Sequence, residues 1–237
     1  MSLKNYKALQ FDCYGGMVDS APILQAPGGP SRQKFLTVFG QHENRIQVER
    51  PGTAYPDVLK EAYLATARDL GVSASDAEAT AFGNAVPSWP AFPDSAAALK
   101  KLSDLGLKLV ILSNVNNASF NETRKKLEKG FTFDAVYTAE NIGSYKPSLA
   151  NFNYSIDHIK SELGVDKDEI LVTANSKLHD IKPGHAMGMK GAWISRAAHG
   201  SVMGVTDYAD VEPDWVFPTM QDFADEMEKV RASDVSA

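Results

Sequence analysis

A disulfide framework is excluded at the outset, because the chain carries a single cysteine, Cys13, among its 237 residues. A lone thiol directly after a strand pattern is expected to be buried and inert, and it suits a reducing compartment. Basic residues are also scarce: 24 Lys and Arg stand against 30 Asp and Glu, a net charge of −6, and none of them form a stripe. Nucleic acid and anionic membranes are therefore not expected as partners. No apolar run approaches the ~20 residues of a membrane span; the longest, such as Leu107–Leu112, are strand-sized. No apolar leader precedes the first strand pattern, so a soluble cytoplasmic protein is the expectation. Glycine and proline, at 17 and 12 residues, are too few for a disordered or fibrous chain. Repeats and low-complexity tracts are missing as well.

What remains is 43% apolar, enough for a well-buried core in one or two domains. Lys7–Phe11 reads as a short buried strand ended by Asp12 and a Gly15-Gly16 turn. A Pro/Gly-rich stretch, Ala21–Pro30, reads as a hinge or loop. Helical patterns follow over Ser31–Gln47, over Tyr55–Leu70 and from about Ser75. No strand pattern interrupts them, so residues 21–89 read as an all-helical insertion. After Pro90 strands and helices alternate. Asp94 is expected to cap a helix to Leu105. Strands are predicted at Lys108–Leu112, Phe133–Tyr137, Glu169–Thr173, Gly191–Ser195 and Trp215–Phe217. The intervening helices imply an α/β fold with a parallel sheet, whose ligands sit at the carboxyl ends of the strands.

Asp12, Ser113-Asn114, Lys146 and Asp180 all fall just after predicted strands or in the loops that follow. Each has an ordinary role open to it: Asp12 as a turn cap, Ser113-Asn114 and Asp180 as helix caps, Lys146 as a solvated loop lysine. Four of them in order at successive strand ends form a coherent set for covalent catalysis: a carboxylate nucleophile, a hydroxyl-amide pair, a cation and a second carboxylate. His179 beside Asp180 makes a pair suited to acid–base work near neutral pH, or a histidine bonded to a carbonyl at a helix start. Trp89, Phe92 and Tyr55 are aromatics that either line a cleft or simply pack.

The segment Phe11-Asp-Cys-Tyr-Gly-Gly-Met-Val-Asp19 resembles the first motif of the haloacid dehalogenase superfamily, usually F-D-x-Y-G-T-L-x-D. Leu112–Asn117 is similar to its second motif, Ser144–Pro147 to its third, and Ala174–Asp180 with Gly188–Arg196 to its fourth. The resemblance covers Tyr6 to Arg196, and its nearest branch is the two-haloacid-dehalogenase-like one. It implies a Rossmann-like core, residues 1–20 and 90–237, with an inserted helical cap at 21–89. It also implies a two-step reaction in which Asp12 attacks a carbon, forms an ester and is released by water. Lys146 then holds Asp12 ionised, Asp180 anchors Lys146 or positions the water, and Ser113 and Asn114 orient the substrate. Tyr14, Gly16 and His179 are placed beside them around it.

Departures from the superfamily's patterns sharpen the reading. Phosphoryl-transferring members keep an aspartate two residues after the nucleophile, where this chain has Tyr14, and acidic Mg²⁺ ligands where it has Asn175. A hard-cation site weakened in this way points to a reaction without metal or cofactor. Gly16 replaces the usual threonine, Lys177 replaces a usual asparagine, and Arg45 is the candidate for the dehalogenases' halide-receiving arginine. The primary expectation is a hydrolase resembling (S)-2-haloacid dehalogenase, acting on small carboxylates. The alternative is a cleft repurposed for non-hydrolytic cyclisation or tailoring of a larger metabolite, and homodimerisation is left open.

Overall fold

The computed structural model describes residues 2–15, 17, 31–196 and 210–233. Gly16 and the Ala21–Pro30 hinge, both singled out above, lie outside the described residues. Six short strands form one parallel sheet: β1 Ala8–Phe11, β2 Lys108–Ser113, β3 Ala135–Thr138, β4 Ile170–Ala174, β5 Lys190–Ile194 and β6 Trp215–Phe217. Their order is β3-β2-β1-β4-β5-β6. Every residue of β1 and of β4 is buried, which is why these strands read as continuous apolar runs rather than alternating ones.

The strand order reverses at β1. Phe11 registers with Ile111 of β2 on one side and with Thr173 of β4 on the other. A crevice therefore opens at the carboxyl end of β1, where loops leave the sheet in opposite directions. Asp12 is the next residue. The turn beyond it bends through Gly15, whose φ of 83° favours glycine.

The first three α-helices after β1 in the described chain are α1 Arg32–Glu49, α2 Tyr55–Asp69 and α3 Asp76–Gly83. Ser31 caps α1 through a bond from the Lys34 N–H at 3.3 Å. Ser75 and Glu78 form a reciprocal capping box on α3. The three pack on one another around Phe39, Tyr63 and Phe82, with ring centroids 5.4 Å apart for Phe39–Phe82 and 4.9 Å for Tyr63–Phe82. Close approach of α3 to α2 depends on Gly83, since a Cβ there would lie 2.3 Å from the Pro56 carbonyl oxygen.

The remaining helices are α4 Ser95–Asp104, α5 Asn117–Leu127, α6 Ala139–Ile142, α7 Leu149–His158, α8 Lys182–Ala186 and α9 Met220–Ala232. The helix expected over 149–163 ends in a π turn, Ile159–Leu163, and the short α6 carries no apolar period by which to find it. Two capping expectations are corrected. Asp180 lies inside a π turn, Lys177–Ile181, capped by Ser176. Asp94 makes no side-chain cap bond to α4. Its carboxylate instead takes a forked pair from Arg196 Nη1, at 2.8 and 2.9 Å, and accepts the Gln221 N–H of α9 at 3.2 Å. The guanidinium is 1% exposed and stacks over Phe92, 4.1 Å from the ring centroid.

This buried pair joins the end of β5 to α4 and α9. Asp94→Ala strips a charge partner from a buried guanidinium and is expected to cost about 3–5 kcal/mol. Urea unfolding of the variant against the wild type checks it.

Candidate active site

Asp12 leaves the sheet with its N–H bonded to the Thr173 carbonyl at 3.3 Å. Its Oδ1 accepts from Lys146 Nζ at 2.9 Å and from Ser113 Oγ, the last residue of β2, at 3.2 Å. Lys146 is 1% exposed. Its ammonium also donates to Asp180 Oδ1 at 2.7 Å and to the Leu112 carbonyl at 2.7 Å, so three acceptors match its three N–H groups. Burial works against the charged amine, but Asp12 and Asp180 outweigh it and hold its pKa above the ordinary lysine value.

Asn114 fixes the loop that delivers this lysine. Its Oδ1 accepts from the Lys146 N–H at 2.7 Å and its Nδ2 donates to the Lys146 carbonyl at 2.9 Å. Sequence reasoning left Asn114 between orienting substrate and capping a helix. The structure uses its amide to clamp both backbone polar groups of Lys146, and the residue still lines the cleft.

Asp180 is 1% exposed, and its Oδ2 has no hydrogen-bond partner. Burial pushes its carboxyl above the usual carboxylate range, with Asp12 adding to the effect and Lys146 opposing it. His179 has its Nδ1 beside Ser176 Oγ at 3.1 Å and its Nε2 without a partner. Burial, reinforced by Lys146, lowers its pKa to about 4, so it is neutral at neutral pH. Of the two readings open for His179, acid–base work near neutrality does not suit a ring held neutral, and the ring meets the Ser176 hydroxyl rather than a backbone carbonyl.

Tyr14 hydrogen-bonds Thr123 Oγ1 at 3.1 Å and meets Trp89 edge to face at 5.7 Å. Lys126 pins Trp89 by donating to the carbonyls of Pro87 and Trp89, each at 2.6 Å. Trp89 and Tyr55 do line the cleft; Phe92 sits under Arg196 instead. Arg45 bonds Glu49 at 3.2 Å with about half its side chain exposed, and it is not a cleft residue. Lys177 lies over the Trp193 ring at 4.6 Å. Cys13 is fully buried, and burial raises its thiol pKa.

Two cleft residues went unnoticed in the sequence, both on α1. Glu43 is 7% exposed, and its Oε1 accepts from the Tyr55 hydroxyl at 2.9 Å. Burial pushes its pKa up to about 7, with Tyr55 lowering it and Asp12 raising it. Gln47, one turn on, accepts from Asn114 Nδ2 at 3.3 Å. The available signal was positional: Leu36, Phe39, Glu43, Ile46 and Gln47 share the buried stripe of one helix, where two polar residues are out of place.

As bounded by the described residues, the cleft encloses about 50 Å³ above Asp12. The Lys146 ammonium occupies the space between Asp12 and Asp180. Asn175 spends its Nδ2 on the Ile194 carbonyl at 2.6 Å. Among the described residues no group of three His, Cys, Asp or Glu is placed to hold a metal ion, and no helix is long and apolar enough to cross a membrane.

The chain is 24% identical to an (S)-2-haloacid dehalogenase of Pseudomonas putida over 228 residues, 89% of this chain and 92% of the relative. It is 20% identical to haloacetate dehalogenase H-2 of a Moraxella species, over 92% of this chain and 96% of that one. In fold it resembles the L-2-haloacid dehalogenase of Xanthobacter autotrophicus solved with chloropropionic acid covalently bound, with a TM-score of 0.73 at 21% identity, covering 94% of this chain and 98% of the other. A dehalogenase solved with an intermediate complex superposes with a TM-score of 0.77 at 18% identity, over 94% and 97% of the two chains. These likenesses favour a hydrolase over a cleft repurposed for cyclisation. The family model described as haloacid dehalogenase-like hydrolase matches residues 75–194, more than half of the sequence, and the chain belongs to that family.

Proposed function

We propose that the protein hydrolyses a carbon–halogen bond in a small organic acid, with Asp12 as nucleophile. One observation carries this reading: the Asp12 carboxylate, at the end of the central strand, is held from one side by the Lys146 ammonium and the Ser113 hydroxyl. Both contacts fall on Oδ1, which leaves Oδ2 as the attacking oxygen. Oδ2 forms a bond to C2 of a 2-haloacid, the carbon–halogen bond breaks, and the halide departs with its electron pair. A halide leaving group needs no proton, so the tyrosine at position 14 is no obstacle. Water then attacks the ester's carbonyl carbon at Asp12, and the hydroxy acid leaves with an oxygen that began on the aspartate.

Lys146 sets an opposite charge against the Asp12 carboxylate at 2.9 Å and fixes its orientation. Asp180 receives the proton of the attacking water and returns it to the departing alkoxide oxygen. Its unpartnered Oδ2 and its raised pKa suit a base that takes a proton near neutral pH. Asn114 keeps Lys146 in place, and Tyr14 and His179 bound the substrate, as Gly16 does in the motif resemblance. The small cleft and the relatives' substrates support a short 2-haloacid. Residues 21–89 act as a helical cap domain that closes over a core made of residues 1–20 and 90–237, and the protein works in the cytoplasm.

Asp12→Asn is expected to reduce halide release from 2-chloropropionate at least ~10³-fold, since the amide is a poor nucleophile. Single turnover in ¹⁸O-water should label the Asp12 peptide and leave the product unlabelled. Label in the product instead would mean direct attack by water.

Lys146→Met, similar in length and uncharged, is expected to lower kcat by ~10²–10³-fold. Asp180→Asn should let the ester accumulate, seen by mass spectrometry as a gain of one propionate unit on the Asp12 peptide.

A further inference from the structure

Glu43 has no part in the chemistry just described, yet it is a buried carboxyl in the same cleft. It projects from α1 among Asp12, Tyr14, Tyr55, Lys146 and His179. Tyr55 of α2 donates to its Oε1. Asp12, at the end of β1, is near enough to raise its pKa, and Glu43 in turn raises those of Tyr55 and Tyr145. Lys146 is the only cation among the described residues that line the cleft. All three of its N–H groups are already taken, by Asp12, Asp180 and the Leu112 carbonyl. It has no donor left for a further anion.

A 2-haloacid brings a carboxylate bonded directly to the carbon that Asp12 attacks. That carboxylate enters the cleft that Asp12 and Glu43 both line. Two like charges in a poorly solvated site disfavour each other, and the cost falls away when one is protonated or replaced by an amide. We propose that Glu43 is a specificity-determining residue of this cleft: ionised, it turns away a substrate carboxylate, and protonated, it admits one by donating a hydrogen bond. Above neutral pH the cleft then prefers neutral 2-haloamides, whose amide N–H groups Glu43 accepts, to 2-haloacids. This rests on the Asp12-centred reading for the position of the reacting carbon, but it is tested through binding alone.

The probes are isobutyrate and isobutyramide, in which a methyl group stands where the halogen would be. Isothermal titration near pH 6 and pH 8 brackets the Glu43 value of about 7. For the wild type, isobutyrate is expected to bind about tenfold more weakly at the higher pH, and isobutyramide equally at both. Glu43→Gln, which preserves an acceptor for Tyr55, should abolish the pH effect and restore isobutyrate binding at the higher pH. Tyr55→Phe removes a hydrogen bond that favours the ionised carboxylate, so it should shift the isobutyrate midpoint upward.

A pH effect that persists in Glu43→Gln would assign the titration to Asp180 and overturn the proposal. Equal binding of isobutyrate at both pH values, or no binding of either probe, would also overturn it. Halide release from 2-chloropropionate and 2-chloropropionamide is measured in parallel. No release from either, with the binding pattern intact, would remove the dehalogenase reading and leave the Glu43 assignment standing.

Discussion

The site depends on one buried ammonium. Lys146 Nζ lies between Asp12 and Asp180 with the Leu112 carbonyl as its third acceptor. Bringing an ammonium and two carboxylates out of water is costly unless every N–H finds a partner. The surroundings meet that demand. The end of β2 supplies a carbonyl and Ser113, the π turn 177–181 supplies Asp180, and Asn114 holds both backbone polar groups of Lys146 itself. Removing any of these groups leaves a buried charge or dipole without its partner, so the geometry of the site and the stability of its loops cannot be separated.

The same ammonium shapes the electrostatics of the cleft. Its three N–H groups are taken by protein acceptors, so none is left to donate to an incoming ligand. His179, pressed by burial and by Lys146, stays neutral. Glu43 feels Asp12 more than it feels the lysine. A cleft whose cation is fully engaged and whose outer wall bears a carboxyl differs from one built around a free cation. Family membership alone does not reveal that difference, because Glu43 sits on the cap-side helix α1 and the four core motifs do not include it.

Much of this was legible in the chain. Asp12, Ser113, Lys146 and Asp180 were placed at strand ends because parallel strands buried on both faces read as apolar runs, and the residue after such a run lies at the sheet's edge. Their convergence follows from the right-handed crossovers that stack those ends side by side. Side-chain partners chosen through tertiary contact were harder to see. Asp94 looked like a helix cap, and only the folded chain shows that Arg196, about a hundred positions later, claims its carboxylate. Asn114 read as a substrate-orienting group or a helix cap, and its clamp on Lys146 was hidden because it spans 32 positions. Glu43 and Gln47 were hidden by being ordinary helix residues, polar side chains read as solvated until the stripe they share with Phe39 and Ile46 turns out to be buried.

The position of β1 also bears on how the chain comes together in time. It precedes both of its neighbours in the sheet by a long stretch of chain: Phe11 pairs with Ile111, 100 residues on, and with Thr173, 162 residues on. The helices α1, α2 and α3 that follow β1 close contacts of short range and are free to assemble while β1 is still unpaired. Long-range parallel pairing is slow because loop closure precedes any reward from the contacts it permits. During synthesis the strand that carries Asp12 therefore stays unpaired until β2 emerges, and it gains its second partner only after β4. Asp12 acquires its full surroundings only once the chain beyond β4 has been made.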